Sequence, residues 1–352
     1  MKKYLFTFIS AFMIPYILLG LFIFLVDPYY VFHKPYFNME VIRTDDPHFV
    51  ARGLIRNMDY DILLCGSSMC ENMHTDYIDD TFDGKSLKVI QHGSYSNDFA
   101  ASLKQAAGSD KARMIIMGLD STMWKKPSEG YRVEKLPSYA VEAPNPFNTA
   151  PYIFNVNTLN PCISLLRPNY YNENVESMNQ WWEIGNEAYG ESNVAADWIK
   201  QKTDGQLFSE MDETLARNNY SNLAEGVESC RDKGITVKFF IPPYSVADYS
   251  LHDYEYDLKV EKELWRNLLQ YDNVEIYAIQ FDTDLIEHFE WYRNTSHYNG
   301  HVSDMIIDYI AGKKYLLTTA NIDEQVDTFQ KYLDDYDWEA LEVSFTRQVK
   351  NE

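Results

Sequence analysis

The sequence predicts an α/β fold, a parallel sheet with helices on both faces, preceded by one N-terminal transmembrane helix. Three observations predict it. Short apolar runs that stop at Gly, Pro or a polar cluster recur along the chain, at 61–66 (DILLCG), 87–93 (LKVIQHG), 112–120 (ARMIIMGLD), 236–244 (TVKFFIPPY) and 274–281 (VEIYAIQF). Helical periodicity occupies 98–107, 209–233 and 256–270 between them, and such alternation builds parallel sheets buried on both sides. Residues 4–26 (YLFTFISAFMIPYILLGLFIFLV) carry no charge, and a helix of that length covers about 34 Å, enough to cross a bilayer.

The flanks of the apolar segment set its orientation. Lys2 and Lys3 precede it and acidic sequence begins at Asp27, so the N-terminus is expected in the cytoplasm and the main domain outside. A cleaved signal peptide is the competing reading. The length of the apolar run, and the lack of a small-x-small site after Val26, favour an uncleaved anchor. Four segments follow from this reading: a cytoplasmic tip and anchor at 1–26, a juxtamembrane stalk and helix at 27–58, the α/β domain at 59–314, and a helical tail at 315–352. Residues 27–37 (DPYYVFHKPYF) read as an extended or interfacial stalk, and a polar helix is expected over 46–58. A long insertion, 121–208, separates the third strand from the fourth and reads as a lid or binding segment. Within it, Trp181-Trp182 reads as packing of the insertion ahead of a glycan-stacking platform. The stretch 322–337 reads as an acidic, solvated closing helix.

Composition narrows the function classes. The 352 residues include 45% hydrophobic ones, enough for a sizeable core, and a formal net charge of −22. A surface of that sign repels phosphate backbones, which excludes nucleic acid as an expected partner. Cys65, Cys70, Cys162 and Cys230 form no CxxC pair, so no zinc site is expected and Glu71 has no identifiable co-ligands. Buried thiols are the favoured reading, with a Cys162–Cys230 disulfide left open. No cofactor is expected.

In parallel α/β folds sites form at the carboxyl ends of the strands. The first strand ends in Gly66-Ser67-Ser68, where a serine can expose its hydroxyl and a backbone N–H at a helix start; a plain helix cap is the structural alternative. The second ends in His92-Gly93-Ser94-Tyr95-Ser96-Asn97 and the third in Gly118-Leu119-Asp120. Pro242-Pro243-Tyr244 follows the fourth and reads as a wall of the site. His297 lies in a polar turn before a helical pattern through Val302, Ile306, Ile307 and Ile310. Imidazole has a suitable pKa to take the proton of a serine at this edge. His301 is a rival, but falls inside that helix.

The ordered blocks YDILLCGSSMCENM, HGSYSND, MGLDSTMW, FFIPPYS and YRNTSHYNGHVSDMI resemble the SGNH (GDSL-like) hydrolase superfamily over about 59–311. The resemblance is closer to its membrane-anchored, DltD-like branch, which includes the D-alanyl transfer protein of lipoteichoic acid synthesis and related envelope O-acyltransferases. It implies a three-layer α/β/α fold with a flavodoxin-like sheet and no cofactor. The nucleophile of the family falls on Ser68, its glycine oxyanion donor on Gly93 and its base on His297. Asn97 and Tyr244 are taken as substrate-binding. The family's Gly-x-Asn block reads Gly118-Leu119-Asp120 here, and its Asp-x-x-His block reads Asn294-Thr295-Ser296-His297. An ionised Asp120 would repel an oxyanion, and Asn294 can orient His297 but cannot stabilise imidazolium by charge. The implied activity is an extracytoplasmic serine esterase or O-acyltransferase on ester-linked acyl groups of a cell-envelope polysaccharide or teichoic acid, beside a membrane-bound O-acyltransferase. The two departures leave a catalytically inactive glycan- or partner-binding module as the alternative.

Overall fold

The computed structural model describes residues 2–34, 36, 47–134, 137–141, 144–166, 189–204 and 211–351. In chain order its longer elements are α1 (Lys2–Val26), α2 (Ala51–Asn57), β1 (Ile62–Gly66), α3 (Thr75–Phe82), β2 (Ser86–Ile90), α4 (Ser96–Ser109), β3 (Met114–Gly118) and α5 (Ser121–Trp124). They continue with α6 (Ser138–Val141), α7 (Pro146–Ile153), α8 (Val156–Leu165), α9 (Glu191–Thr203), α10 (Glu213–Arg231), β4 (Thr236–Ile241), α11 (Val246–Tyr249) and α12 (Tyr254–Leu268). The last are β5 (Val274–Ala278), α13 (Thr283–Glu287), α14 (Gly300–Ala311), β6 (Leu316–Leu317), α15 (Ile322–Asp334) and α16 (Trp338–Asn351). Trp181-Trp182 lies outside the described residues.

Two compact units divide the chain. One comprises 1–58 with 133–181, the other 59–132 with 182–352.

The second unit is built on one six-stranded sheet in the order β2-β1-β3-β4-β5-β6. The first four pairings are parallel and β6 runs antiparallel to β5. The central strands β1 (ILLCG) and β3 (MIIMG) are buried at every residue, because parallel strands covered on both faces have no polar side to present. Right-handed crossovers send the chain out in opposite directions from β1 and β3. Accordingly α4 packs with α10, and α10 with α12, while α3 packs with α14. The strand order reverses between β1 and β3. That reversal opens a crevice beyond their carboxyl ends, where Ser67-Ser68 and Asp120 emerge.

Gly66 makes the turn after β1 possible. A Cβ there would collide with the Cys70 Sγ, which folds back over the strand end on the 3-10 turn Ser68–Cys70. All four cysteines are free and buried, so the open Cys162–Cys230 pairing is not made.

The first unit departs from the sequence reading at two places. Residues 27–33 are not an extended stalk but a tight turn wound on Asp27. Its buried carboxylate accepts from the N–H groups of Val31 (3.0 Å), Phe32 (2.7 Å) and His33 (3.0 Å), and from the Tyr152 hydroxyl (2.8 Å). The expected helix at 46–58 is broken into a 3-10 turn, Pro47–Phe49, and α2. The two-residue strand β6 was not expected at all; β1, β3, β4 and β5 fall within their apolar runs, and β2 starts one residue ahead of its run, at Ser86. Helix α1 forms across the apolar N-terminal segment. Its described side chains run unbroken only over 13–26, and among the described residues no helix is long and apolar enough to cross a membrane.

Replacing Gly66 with Ala should destabilise the protein by about 1–3 kcal/mol, since a methyl forced against a packed sulfur must displace the turn. The double variant Gly66→Ala/Cys70→Ala should recover part of that loss, because the sulfur in the way is gone. Urea denaturation midpoints of the four proteins of this cycle measure it. Strict additivity would show that the clash is not what the glycine avoids.

Candidate active site

Two adjacent serines leave β1, and the turn gives them different work. The Ser67 Oγ accepts from the Met69 N–H at 3.2 Å, capping the 3-10 turn, and donates to the Asp120 Oδ2. It is buried and its hydrogen bonds are used. Ser68 is half-buried, lines an open cleft of about 330 Å³, and has its Oγ 2.8 Å from the His297 Nε2.

The loop carrying His297 is held from three sides. An antiparallel bridge pairs Tyr292 with Tyr298, and the Arg293 N–H donates to the His297 carbonyl at 2.9 Å. Ser245, just past β4, donates its N–H (2.9 Å) and its hydroxyl (2.7 Å) to the Thr295 carbonyl. From α9, the Asp197 Oδ2 accepts from the Thr295 N–H at 3.1 Å, and the Asp248 Oδ1 of α11 accepts from the hydroxyls of Thr295 (3.0 Å) and Ser296 (3.1 Å). Two further bonds tie this loop to the Ser68 turn. The Tyr298 hydroxyl donates to the Met69 carbonyl at 2.5 Å, and the Asn72 amide donates to the Tyr298 carbonyl at 2.7 Å.

The protonation pattern follows from hydrogen-bond accounting. The Asn294 Oδ1 accepts from the backbone N–H groups of Ser296 (3.0 Å) and His297 (2.7 Å). Those two donors identify the atom as the amide oxygen. It lies 3.1 Å from the His297 Nδ1, so Nδ1 carries the proton and donates. In the neutral ring Nε2 is then the acceptor, facing the Ser68 hydroxyl. This is the tautomer a general base needs. Burial, then the nearby Arg293 charge, pushes the ring pKa from its ordinary 6.5 down to about 4, against the pull of Glu71, Asp197 and Asp248.

Asp120 sits inside the cleft wall. Its Oδ2 accepts from Ser67 and its Oδ1 from the Tyr244 hydroxyl at 2.7 Å. Burial raises its pKa above the usual carboxylate range, partly offset by those two donors. With both oxygens accepting, it positions Ser67 and Tyr244 and is not arranged as an oxyanion donor. Two backbone N–H groups of the cleft wall are unengaged. Ser68 and Gly93 both line the cleft, and neither N–H has an acceptor among the described residues.

Of the residues singled out in sequence, the cleft gathers Ser68, Gly93, Asp120, Tyr244, Asn294 and His297. Asn97 is a correction. Its amide donates to the carbonyls of Ser128 and Gly130, both at 2.9 Å, and ties down the loop after α5 instead of reaching the cleft. His301 is exposed and lies edge-on against Trp291. Asp282 and Asp304 are engaged by Tyr309 and His74, while Asn294 takes the Nδ1. Glu71 pairs with His92. Among the described residues, no group of three or more His, Cys, Asp or Glu side chains is placed to hold a metal ion.

The sequence reading missed Asp197, Lys200 and Gln201 of α9, which also line the cleft. They fall in the stretch read as an insertion, and helical periodicity says nothing of which sheet edge a helix reaches. It also missed Tyr298, one of 27 tyrosines, whose only sequence signal is its position beside His297.

No family model matches this chain, and no curated protein is significantly similar to it.

The neutral imidazole is the form that accepts a proton. Because its pKa is lowered, the neutral form persists as pH falls and is lost only as pH drops through about 4. An NMR titration of the His297 ring should give a midpoint near that value. Asn294→Asp, which sets a negative charge against Nδ1, should raise the midpoint by about one to three units. An unchanged midpoint would show that residue 294 does not face the ring. Tyr298→Phe should cost about 1–2 kcal/mol by leaving the buried Met69 carbonyl unpaired, read from denaturation midpoints.

Proposed function

We propose that this chain is a membrane-anchored, SGNH-like serine esterase or O-acyltransferase. Its substrate class is the ester-linked acyl groups of a cell-envelope polysaccharide or teichoic acid. The observation that carries the reading is the 2.8 Å approach of the Ser68 Oγ to the His297 Nε2, with Nδ1 held by Asn294. A hydroxyl is a poor nucleophile until a positioned base takes its proton.

In the first half-reaction the Ser68 Oγ bonds to the acyl carbonyl carbon while its proton passes to His297 Nε2. The carbonyl oxygen becomes an oxyanion, held by the N–H groups of Ser68 and Gly93. The tetrahedral species collapses, the ester C–O bond breaks, and the leaving alkoxide takes the proton from His297. In the second half-reaction His297 deprotonates water, for hydrolysis, or an acceptor hydroxyl, for transfer. That oxygen attacks the acyl-serine, and the Ser68 oxygen leaves with the proton returned to it. No cofactor enters either half. The proposal places the α/β unit outside the cell, tethered by residues 4–26, and supplied with acyl groups by a membrane-bound O-acyltransferase. The uncharged length of that segment and the two lysines before it support the tether.

A second reading is favoured by two observations. Asp120 brings an acceptor-only carboxylate to the cleft, and Asn294 leaves imidazolium without an adjacent charge, which in a serine protease costs about 10⁴ in turnover. In that reading the cleft binds a glycan or a partner without turnover.

A fluorophosphonate probe separates the two. The enzyme reading expects one label per chain, lost in Ser68→Ala and slowed by at least about a hundredfold in His297→Ala, the scale of a general base. Ser67→Ala should keep the label and lose about 1 kcal/mol of stability as a missing cap. No labelling of the unmodified protein between pH 4 and pH 9 would leave the binding module standing.

A further inference from the structure

Between Glu142 and Arg167 the sequence carries no charged residue, although a quarter of the chain is charged (24%). The described part of this run, 144–166, folds as two short helices, α7 and α8, joined at Phe154-Asn155. Both pack against α1. The pair shares a buried cluster with it, in which Ile23 and Val26 meet Tyr152 and Cys162. Gly20 of α1 marks how closely the hairpin approaches: a Cβ there would lie 2.7 Å from both Ile153 Cγ2 and Phe154 Cε1.

The outward face of the hairpin is apolar as well. Phe147 is 92% exposed and Val156 67%, and Phe154, Ile163 and Leu166 are exposed beside them. On α1, Ile14, Ile17, Leu18 and Leu21 are exposed and apolar as well. Exposed apolar area of this extent marks an interaction surface.

Depth along α1 identifies the occupant. Tyr152 is bonded to Asp27 at the helix end, which sets its level at the mouth of the span. Gly20 lies six residues and about 9 Å below Val26, and Tyr16 about 15 Å below it, at 1.5 Å per residue. The Phe154 ring packs against both, with its centroid 6.2 Å from that of Tyr16. Part of the backbone at the tip is paired within the hairpin. The Phe154 N–H donates to the Ala150 carbonyl, the Thr158 N–H to the Asn155 carbonyl, and the Asn157 N–H to the Asn155 Oδ1. A lipid setting favours N–H groups paired within the segment.

We infer that the α7–α8 hairpin is a second membrane element, seated against α1 in the outer leaflet with Phe154, Val156 and Ile163 in contact with lipid. The inference rests on the anchor reading of residues 4–26 and adds a site to it. The protein is held on the bilayer at two points, which fixes the rotation of α1 about its own axis as well as its depth.

Spin labelling of the full chain in phosphatidylcholine–phosphatidylglycerol nanodiscs tests it. Nitroxides are attached to Phe154→Cys and Val156→Cys, with Ile17→Cys reporting the anchor and Ser221→Cys the aqueous surface. The unsubstituted protein, with its buried cysteines, is the labelling blank. Oxygen should dominate relaxation over a water-soluble nickel complex at 154 and 156, with the label at 154 about 9–15 Å below the level of Val26, the depth of Gly20 and Tyr16. Nickel access at 154 and 156 with Ile17 in lipid would overturn the hairpin alone. Nickel access at all three would overturn the anchor and the hairpin together. Labels at 154 and 156 shielded from both reagents would assign the face to a protein partner and overturn the lipid contact.

Discussion

The hydrogen bond from the Tyr298 hydroxyl to the Met69 carbonyl joins two stretches of chain separated by 229 positions. On one side lies the 3-10 turn that presents Ser68, on the other the loop that presents His297. A nucleophile and its base need alignment to within about half an ångström, and neither turn has a core of its own to provide it. The joint works because both partners are buried, where an unmade hydrogen bond is expensive. The Asn72 amide, donating to the Tyr298 carbonyl, closes the same junction from the other direction.

Around that junction the polar groups form a hierarchy. Asp120, Asp197 and Asp248 do not touch the reacting pair, yet each holds something that does. Asp120 holds the cap of the Ser68 turn, and Asp197 and Asp248 hold Thr295 and Ser296 on either side of the His297 loop. Asn294 reads the ring directly and sets its tautomer through an oxygen identified by two backbone donors. The cost falls on the base. Burial and Arg293 hold the imidazole far towards neutrality, and the compensating carboxylates act only at a distance. The site is thus well ordered before reaction and weakly equipped to hold imidazolium during it, the physical tension between the two functional readings.

Legibility in the sequence tracked burial. β1 and β3 could be read because a strand covered on both faces is apolar throughout, and β2, β4 and β5 because they stay mostly apolar around Lys88, Lys238 and Glu275. Leu316-Leu317 could not, since two residues carry no period. The turn at 27–33 is wound on one carboxylate whose partners include Tyr152, 125 positions away; read locally, its aromatics and Pro28 resemble a stalk. Asn97 misled for the opposite reason. It follows the glycine turn after β2 closely, but α4 turns its amide towards Ser128 and Gly130.

By itself the sequence determined the alternation of strands and helices, the carboxyl edge as the place for polar turns, and the uncharged N-terminal segment, because each is a property of neighbouring residues. Only the tertiary structure decided which of two adjacent serines has a free hydroxyl, that Asn294 and not a distant carboxylate meets His297, that α9 lines the cleft, and that residues 144–166 fold onto α1. Apart from Asn294, only three positions from His297, those outcomes depend on where hydrogen-bond donors and apolar faces meet between stretches far apart in the chain, and no local pattern records that distance.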